Sequence, residues 1–319
     1  MEERTSIISR SGGSGFILNI VLFLLTFFTT TQAGVAWLNR DPFELENFYS
    51  GLTYSILILT FLTCHEFGHY IAARIHKINV TLPYYIPFPL ILNPFGTMGA
   101  VIRIRQRINS RKALFDIGIA GPIAGFVPAF LMLVYGMVNL PPFEYIYTIH
   151  PEYVETGVPT SGFSFGYNLL YLLLGELLAS SPDVFLPPMN EMYHYPFLCV
   201  GWFGLLVTAL NLLPVGQLDG GHIIYALFGD KSRYIARSFF ALMLLMGIIG
   251  LLPLFGVNFL ADYGLLNWFI WAALIFFIIK IDHPQFYDPE PIGAVRQLLG
   301  ISALLIFILC FTPVPISGI

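Results

Sequence analysis

Charged residues are scarce in this sequence, and their scarcity excludes most classes of soluble protein. Only 11% of the 319 residues are charged, whereas 56% are hydrophobic. A soluble domain carries about twice that share of charge, so lipid is the expected solvent for much of this chain. The net charge of -4 and the lack of a basic stretch argue against a nucleic-acid-binding domain.

Cysteine is also rare. Cys64, Cys199 and Cys310 are far apart, and each lies in an apolar run. This spacing indicates neither a disulfide framework nor a cysteine-based metal site. The first apolar run is too long for the core of a signal peptide and lacks a convincing cleavage site, so we expect it to be retained as a first span.

Long apolar runs are what the sequence has in abundance. A membrane-spanning helix needs about 20 mostly apolar residues. Seven runs qualify or nearly qualify, namely 16–38, 51–75, 113–137, 196–213, 236–259, 264–281 and 298–314. An eighth stretch, 163–179, is interrupted by polar residues and glycines, and we expect it to lie on the membrane or dip into it. The predicted fold is an all-α polytopic membrane protein with about seven transmembrane helices.

The cationic residues predict how these spans are oriented. With the N-terminus in the cytoplasm, fourteen of the fifteen Lys and Arg residues lie on the cytoplasmic side, and only Arg40 lies outside. The long segment 138–195 has no Lys or Arg and becomes an external loop. We expect a multi-pass protein of a bacterial inner (cell) membrane.

Segment 79–107 differs from the spans. Its four prolines forbid a regular helix, whereas Ala100–Ile104 has the character of a strand. The segment therefore predicts a re-entrant or membrane-surface β-hairpin near 81–105 that forms the wall of a polar cavity. The alternative is a cytoplasmic loop packed on the helices.

The second run contains His65-Glu66-Phe67-Gly68-His69, a match to the H-E-x-x-H pattern. Positions i and i+4 of a helix lie on one face, so the two imidazoles can bind one zinc ion while Glu66 acts on a water held there. Ionisable groups inside a span are costly and are functional by default. The alternative is a pair of histidines in a satisfied polar core.

A third ligand is needed, because a catalytic zinc site normally has three protein ligands. Asp219 and His222 follow the fourth run, where Pro214 and Gly216 break the helix after Asn211. The second and fourth spans both run from the outside to the cytoplasm, so Asp219 can meet the histidines in the cytoplasmic half of the bilayer. Asp219 could instead be a helix cap, and His222 is the weaker ligand candidate because a carboxylate is already available three residues earlier.

Together these motifs resemble those of the site-2 proteases, an intramembrane zinc metalloprotease family (peptidase family M50). The resemblance rests on the histidine pattern in one span and on Asn211-Leu212-Leu213-Pro214 through Leu218-Asp219-Gly220 in a later one. Gly121-Pro122-Ile123-Ala124-Gly125 is similar to the family core, and Phe95-Gly96-Thr97-Met98-Gly99-Ala100 to bacterial and chloroplast members. The sequence lacks the PDZ and CBS domains that other branches carry.

The resemblance implies roles for particular residues. His65, His69 and Asp219 would bind one Zn²⁺ per chain, Glu66 would be the general base, and Asn211 would hold the substrate backbone or the oxyanion. The hairpin would offer a strand edge to an unwound substrate through Thr97, Met98, Gly99 and Ala100. The expected partners are the lipid bilayer and a transmembrane protein that is cut in or next to its membrane segment.

The predicted organisation has three parts. Residues 1–50 hold the N-terminal span and an external loop, 51–230 form the catalytic membrane core, and 231–319 form a C-terminal bundle of three spans.

Two other functions fit part of the pattern. A metal-ion transporter would use the same three ligands as a midplane ion site, but it would need further ionisable residues along its spans, which have few. A catalytically silent chaperone would usually have lost Glu66 or a ligand, and all of them are present.

Overall fold

Helices make up most of the chain in the computed structural model, which describes residues 12–159, 162–181, 183–260, 263–286 and 288–318. The α-helices are α1 (Gly12–Ala36), α2 (Leu52–Ile75), α3 (Arg111–Val138), α4 (Tyr145–Ile149), α5 (Tyr153–Thr156), α6 (Leu169–Leu178), α7 (Pro196–Asn211), α8 (Asp219–Phe228), α9 (Ser232–Ile249), α10 (Asn267–Leu274) and α11 (Ala294–Cys310). Shorter 3-10 helices cover Leu45–Gly51, Met192–His194, Gly229–Lys231 and Leu252–Phe255, and a π-helical turn, Ile275–Ile279, continues α10. Two antiparallel strand pairs join β1 (Tyr84–Pro87) to β2 (Thr97–Val101), and β3 (Ser164–Phe165) to β4 (Ile316–Ser317).

Four helical stretches among the described residues are long and apolar enough to cross a membrane, namely Gly15–Ala36, Leu45–Ile75, Arg111–Val138 and Asp219–Phe255. The other three predicted spans correspond to shorter apolar helices, Pro196–Asn211, Asn267–Ile279 and Ala294–Cys310. At 1.5 Å per residue α7 reaches about 24 Å, less than the ~30 Å of a hydrocarbon core. The structure therefore confirms a mostly helical, integral membrane protein, whereas the count of seven spans stays a prediction.

The interrupted stretch 163–179 forms only a short helix. α6 has 10 residues and so reaches about 15 Å, half the depth of a hydrocarbon core. β3 lies just before α6 and pairs with β4 beyond the end of α11, while the Trp202 indole donates to the Gly166 carbonyl at 2.8 Å. This length agrees with the expected short helix at the membrane.

Charged side chains meet at one end of the bundle. The Arg111 guanidinium at the start of α3 donates to the carbonyl oxygen of Ala226 near the end of α8 at 2.8 Å. Arg296 pairs with Asp116 at 2.7 Å. These contacts bring together segments that were predicted to be cytoplasmic. The two arginines before residue 12, assigned to the same side, lie outside the described residues.

The proline-rich segment forms the predicted β-hairpin. Tyr85 lies opposite Ala100, and a further bridge joins Val80 to Ile104. A β-bulge interrupts the ladder after Tyr85, and on β2 Gly99 has a φ of +100°, a conformation that favours glycine.

The hairpin runs along α1 into the depth of the bundle. At its base, Asn19 of α1 donates to the Pro83 carbonyl at 2.6 Å. Near its tip, Thr29 of α1 donates to the Gly96 carbonyl at 2.6 Å. Ten residues of helix separate these anchors, about 15 Å along the α1 axis. The hairpin therefore lies alongside a helix that is long and apolar enough to span a membrane.

Helix α3 is the centre of the bundle and packs against α2, α7 and α8. Small residues allow these helices to approach closely. A side chain at Gly68 of α2 would overlap the Ala120 carbonyl of α3, and a Cβ at Gly204 of α7 would lie 2.7 Å from the Cβ of Ala129. Backbone contact between helices therefore holds the core together where larger side chains would separate it.

Replacement of Gly68 by leucine should destabilise the protein, because the new side chain has to push α3 away. Overpacking of this kind costs about 1–3 kcal/mol. The measurement is thermal unfolding of the purified protein in detergent. Gly15→Leu is the control, since no atom lies within 4 Å of a Cβ built there. Equal melting temperatures for the two variants would contradict the proposed α2–α3 contact.

Candidate metal centre

Two imidazoles of α2 meet one helical turn apart. The Nε2 atoms of His65 and His69 lie 3.1 Å from each other, and both side chains are buried. His69 Nδ1 lies 2.7 Å from the carbonyl oxygen of Ile117, which can only accept, so Nδ1 carries the proton. The Nε2 lone pair is then free, and this is the tautomer that binds a metal through Nε2.

Glycines of α3 leave room for both rings. A Cβ at Gly121 would overlap the ring of His69, and a Cβ at Gly125 would lie 3.0 Å from His65 Nδ1. A larger residue at either position would displace an imidazole. The Gly121–Gly125 motif therefore has a steric role, which is to let α3 pass directly beside the two histidines.

Asp219 joins this group from a broken helix. α7 ends at Asn211, the loop turns through Gly216 with a φ of +55°, and α8 begins at Asp219. Its Oδ2 lies 3.3 Å from His69 Nε2 and 3.6 Å from His65 Nε2. Ligand atoms about 2.0–2.1 Å from a tetrahedral zinc ion are about 3.3 Å apart. The three atoms therefore have the spacing that one zinc ion requires, with a fourth position left for water or substrate.

Glu66 lies beside this three-atom group and is not part of it. One of its carboxylate oxygens accepts the backbone N–H of Ile102, just past β2, at 2.9 Å. Glu66 is 7% exposed and lines a cavity of about 310 Å³ together with His65, His69 and Asp219. The carboxylate is thus held between α2 and the hairpin, on the wall of the cavity that contains the candidate ligands.

Asn211 and the hairpin enclose the same space. Asn211 Nδ2 lies 3.2 Å from His65 Nε2. Asn211 lines both the metal cavity and an adjoining cavity of about 420 Å³ between the hairpin and α7. The four predicted strand-edge residues line one or other of these cavities, Ala100 the first and Thr97, Met98 and Gly99 the second.

The weaker ligand candidate, His222, is not part of the three-atom group. It lines the same cavity, but its Nδ1 lies 2.8 Å from Nε2 of His283. His76, another histidine of the sequence, pairs with Asp116 at 2.8 Å. Of the two possible third ligands that follow α7, only the carboxylate lies at metal-binding distance from both α2 histidines.

Sequence reasoning missed two backbone groups of the site. The Ile117 carbonyl fixes the tautomer of His69, and the Ile102 N–H binds Glu66. Neither group depends on side-chain identity, so no residue type in the sequence could have indicated it. Only the packing of α3 and of the hairpin against α2 reveals them.

Comparison with known proteins gives a consistent assignment. The model of peptidase family M50 matches residues 53–254, more than half of the chain. "Probable zinc metalloprotease EGY2, chloroplastic" of Oryza sativa subsp. indica is 30% identical over an alignment of 302 residues that covers 91% of this chain and 50% of that protein. "Probable zinc metalloprotease EGY1, chloroplastic" of Arabidopsis thaliana is 25% identical over an alignment of 323 residues that covers 94% of this chain and 53% of that protein.

The chain therefore spans about half the length of the curated relatives it matches. No solved structure matches it. The matched stretch includes the histidine pair of α2, the hairpin, α3 and the loop that carries Asp219. On this evidence the chain belongs to peptidase family M50.

Proposed function

We propose that this chain is an intramembrane zinc metalloprotease, which hydrolyses peptide bonds in or next to the transmembrane segments of other membrane proteins. The observation that carries the proposal is the buried group of His65, His69 and Asp219 beside Glu66, within helices long and apolar enough to span a membrane. Membership of family M50 supports it. The alternative of a metal-ion transporter has no support from the family or from the named relatives.

The proposed chemistry divides among these residues. His65, His69 and Asp219 would hold the zinc ion, which would supply a Lewis acid and make a water molecule easier to deprotonate. Glu66 accepts the proton of the attacking water and delivers it to the leaving amine. Its hydrogen bond from the Ile102 N–H keeps the carboxylate facing the cavity.

Asn211 is proposed to act on the substrate. Its amide lies at the junction of the two cavities, 3.2 Å from His65 Nε2. A side-chain N–H in this place can donate to a substrate carbonyl and, more strongly, to the oxyanion that forms from it.

The hairpin is proposed to hold the substrate extended, because a helical substrate hides its carbonyls in internal hydrogen bonds. The Arg103 backbone accepts from the Thr81 N–H and donates to the Thr81 hydroxyl, so it faces Thr81 across the hairpin. Backbone groups alternate in direction along a strand, so those of Ile102 and Ala100 face the opposite side, where the Ile102 N–H donates to Glu66. Among the described residues β2 pairs only with β1. The Ala100 backbone, within the stretch from Thr97 to Ile102, therefore offers a donor and an acceptor to an added strand beside Glu66.

The orientation in the membrane remains a proposal as well. We propose seven spans, a cytoplasmic N-terminus, a site in the cytoplasmic half of the bilayer and the three-part division at residues 50 and 230. The Arg111 and Arg296 contacts support it, since they bring together segments assigned to the cytoplasm. The relatives are named as chloroplastic, so a bacterial cell membrane is a prediction that rests on the sequence alone.

Glu66→Gln should abolish cleavage and leave zinc binding intact, because an amide keeps the shape of the side chain but cannot accept the proton. Loss of a general base costs about 10²–10⁴-fold in rate. The measurement is cleavage of a single-span substrate by the purified protein in proteoliposomes, with zinc determined on the same sample. Glu44→Gln, at an exposed acid, is the matched control. Wild-type cleavage by Glu66→Gln would refute the assignment.

Gly121→Ala should cost the protein one equivalent of zinc, because the added methyl group overlaps the His69 ring. The measurement is the zinc-to-protein ratio after dialysis against a weak chelator. Gly15→Ala, at a helix glycine with open surroundings, should keep the wild-type ratio. Full zinc retention by Gly121→Ala would show that the steric role assigned to this glycine is wrong.

Gly99→Val should lower kcat/KM for a membrane-spanning substrate without changing the zinc content. A β-branched residue is strained at a φ of +100°, so the bulge that shapes the β2 edge would be distorted. Gly157→Val, at a glycine with a φ of +74° in the external segment, controls for backbone strain alone. If both variants cleave equally well, the hairpin does not position the substrate.

A further inference from the structure

A second group of metal-binding side chains lies at the other end of the bundle from the catalytic site. His150 follows α4, and Glu191 and His194 lie at the turn that precedes α7. One ligand atom from each of the three lies within 4.8 Å of the others. Glu191 and His194 are each 2% exposed. The sequence had placed these residues in the external segment and gave no sign that they meet.

Both histidines have their Nδ1 atoms occupied by acceptors. His194 Nδ1 hydrogen-bonds to the carbonyl oxygen of Trp37, at the end of α1, and therefore donates. His150 Nδ1 lies 2.9 Å from a carboxylate oxygen of Glu152, which also accepts. The two Nε2 atoms then face each other at 2.9 Å, and in the neutral rings each presents a lone pair. An acceptor on Nδ1 that orients Nε2 is the arrangement found around metal-binding histidines.

Glu191 adds a carboxylate oxygen to these two nitrogens. Its Oε1 accepts from the Tyr153 hydroxyl at 3.0 Å and from Asn190 Nδ2 at 3.2 Å. Its Oε2 is buried without a hydrogen-bond donor and lies 3.3 Å from His194 Nε2. Oε1 is thus held in place by two donors, and Oε2 faces the imidazoles.

A cation in this space would satisfy the buried Glu191 carboxylate, whose Oε2 has no hydrogen-bond partner. No Lys or Arg among the described residues forms an ion pair with it. A buried carboxylate is costly unless it is paired or binds a metal.

We propose that His150, Glu191 and His194 form a second binding site for a divalent metal ion of the zinc class, on the external side of the protein. Two imidazoles and a carboxylate suit zinc. The separations of 2.9 Å and 3.3 Å are close to the ~3.3 Å expected around a tetrahedral ion. The His150 side chain is 14% exposed, which gives the ion a route from the aqueous phase. The bound ion ties His150, between α4 and α5, to the turn before α7, and the His194–Trp37 hydrogen bond extends this link to the end of α1.

The test is the zinc content of this chain purified in detergent, after equilibration with micromolar zinc and removal of unbound metal by gel filtration. We expect two equivalents in the wild type and one in Glu191→Gln and in His150→Asn. Glu155→Gln, at an exposed acid of the same segment, should keep both. The His65→Ala variant should keep one equivalent of metal, which can be loaded as Co²⁺ and followed by its visible absorption. This absorption should disappear in the double variant that also carries His150→Asn.

Two results would overturn the proposal. In the first, the wild type binds a single equivalent of zinc, which is lost in His65→Ala and unaffected by Glu191→Gln. A proton shared between the side chains would then occupy the cluster. The other is a second equivalent that persists in both Glu191→Gln and His150→Asn, which would place it elsewhere. His150→Asn changes a partly exposed side chain, so it tests the site even if Glu191→Gln impairs folding.

Discussion

The closeness of α2 and α3 is the constraint on which the rest of the structure depends. Gly68 brings the two backbones into contact, and Gly121 and Gly125 receive the imidazoles of α2. Ionisable groups at membrane depth are costly unless protein surrounds them. These three glycines provide that enclosure, and the close packing they allow brings the Ile117 carbonyl oxygen to 2.7 Å from His69 Nδ1. Any wider spacing would open the site to lipid and free the ring to rotate.

Two non-helical segments, the hairpin and the loop after Asn211, provide groups of the site that the helices do not. Non-helical chain at membrane depth is tolerated only where it is buried in protein or lines a cavity, and the hairpin and the loop that follows Asn211 both line the cavities of the site. The loop delivers Asp219 at a helix start, and Arg111 holds the far end of that same helix. The hairpin delivers the Ile102 N–H to Glu66. Helix α2 thus fixes the two histidines, while two breaks in regular structure bring in Asp219 and the Ile102 N–H.

Local signals account for what the sequence could predict. The run 51–75 became Leu52–Ile75 because apolar length is a strong signal in lipid, and the i, i+4 spacing placed the histidine pair. The span count is less accessible, because whether a 16-residue helix such as α7 crosses depends on tilt and on its neighbours. The cluster of His150 and His194, 44 residues apart, needs the fold to bring it together. Chemistry assembled within one helix is readable from sequence, whereas chemistry assembled across loops is readable only where a motif marks it, as around Asp219.

The cavity of about 420 Å³ between the hairpin and α7 has walls from different parts of the chain. The hairpin and α7 form one side, whereas Trp268 and Trp271 of α10 and Ile316 of β4 form the other. The second set lies beyond residue 254, outside the stretch that defines the family. The candidate metal-site residues and the far wall of this cavity therefore lie on separate parts of the chain. A substitution in α10 can therefore reshape this cavity without touching His65, His69, Asp219 or Glu66.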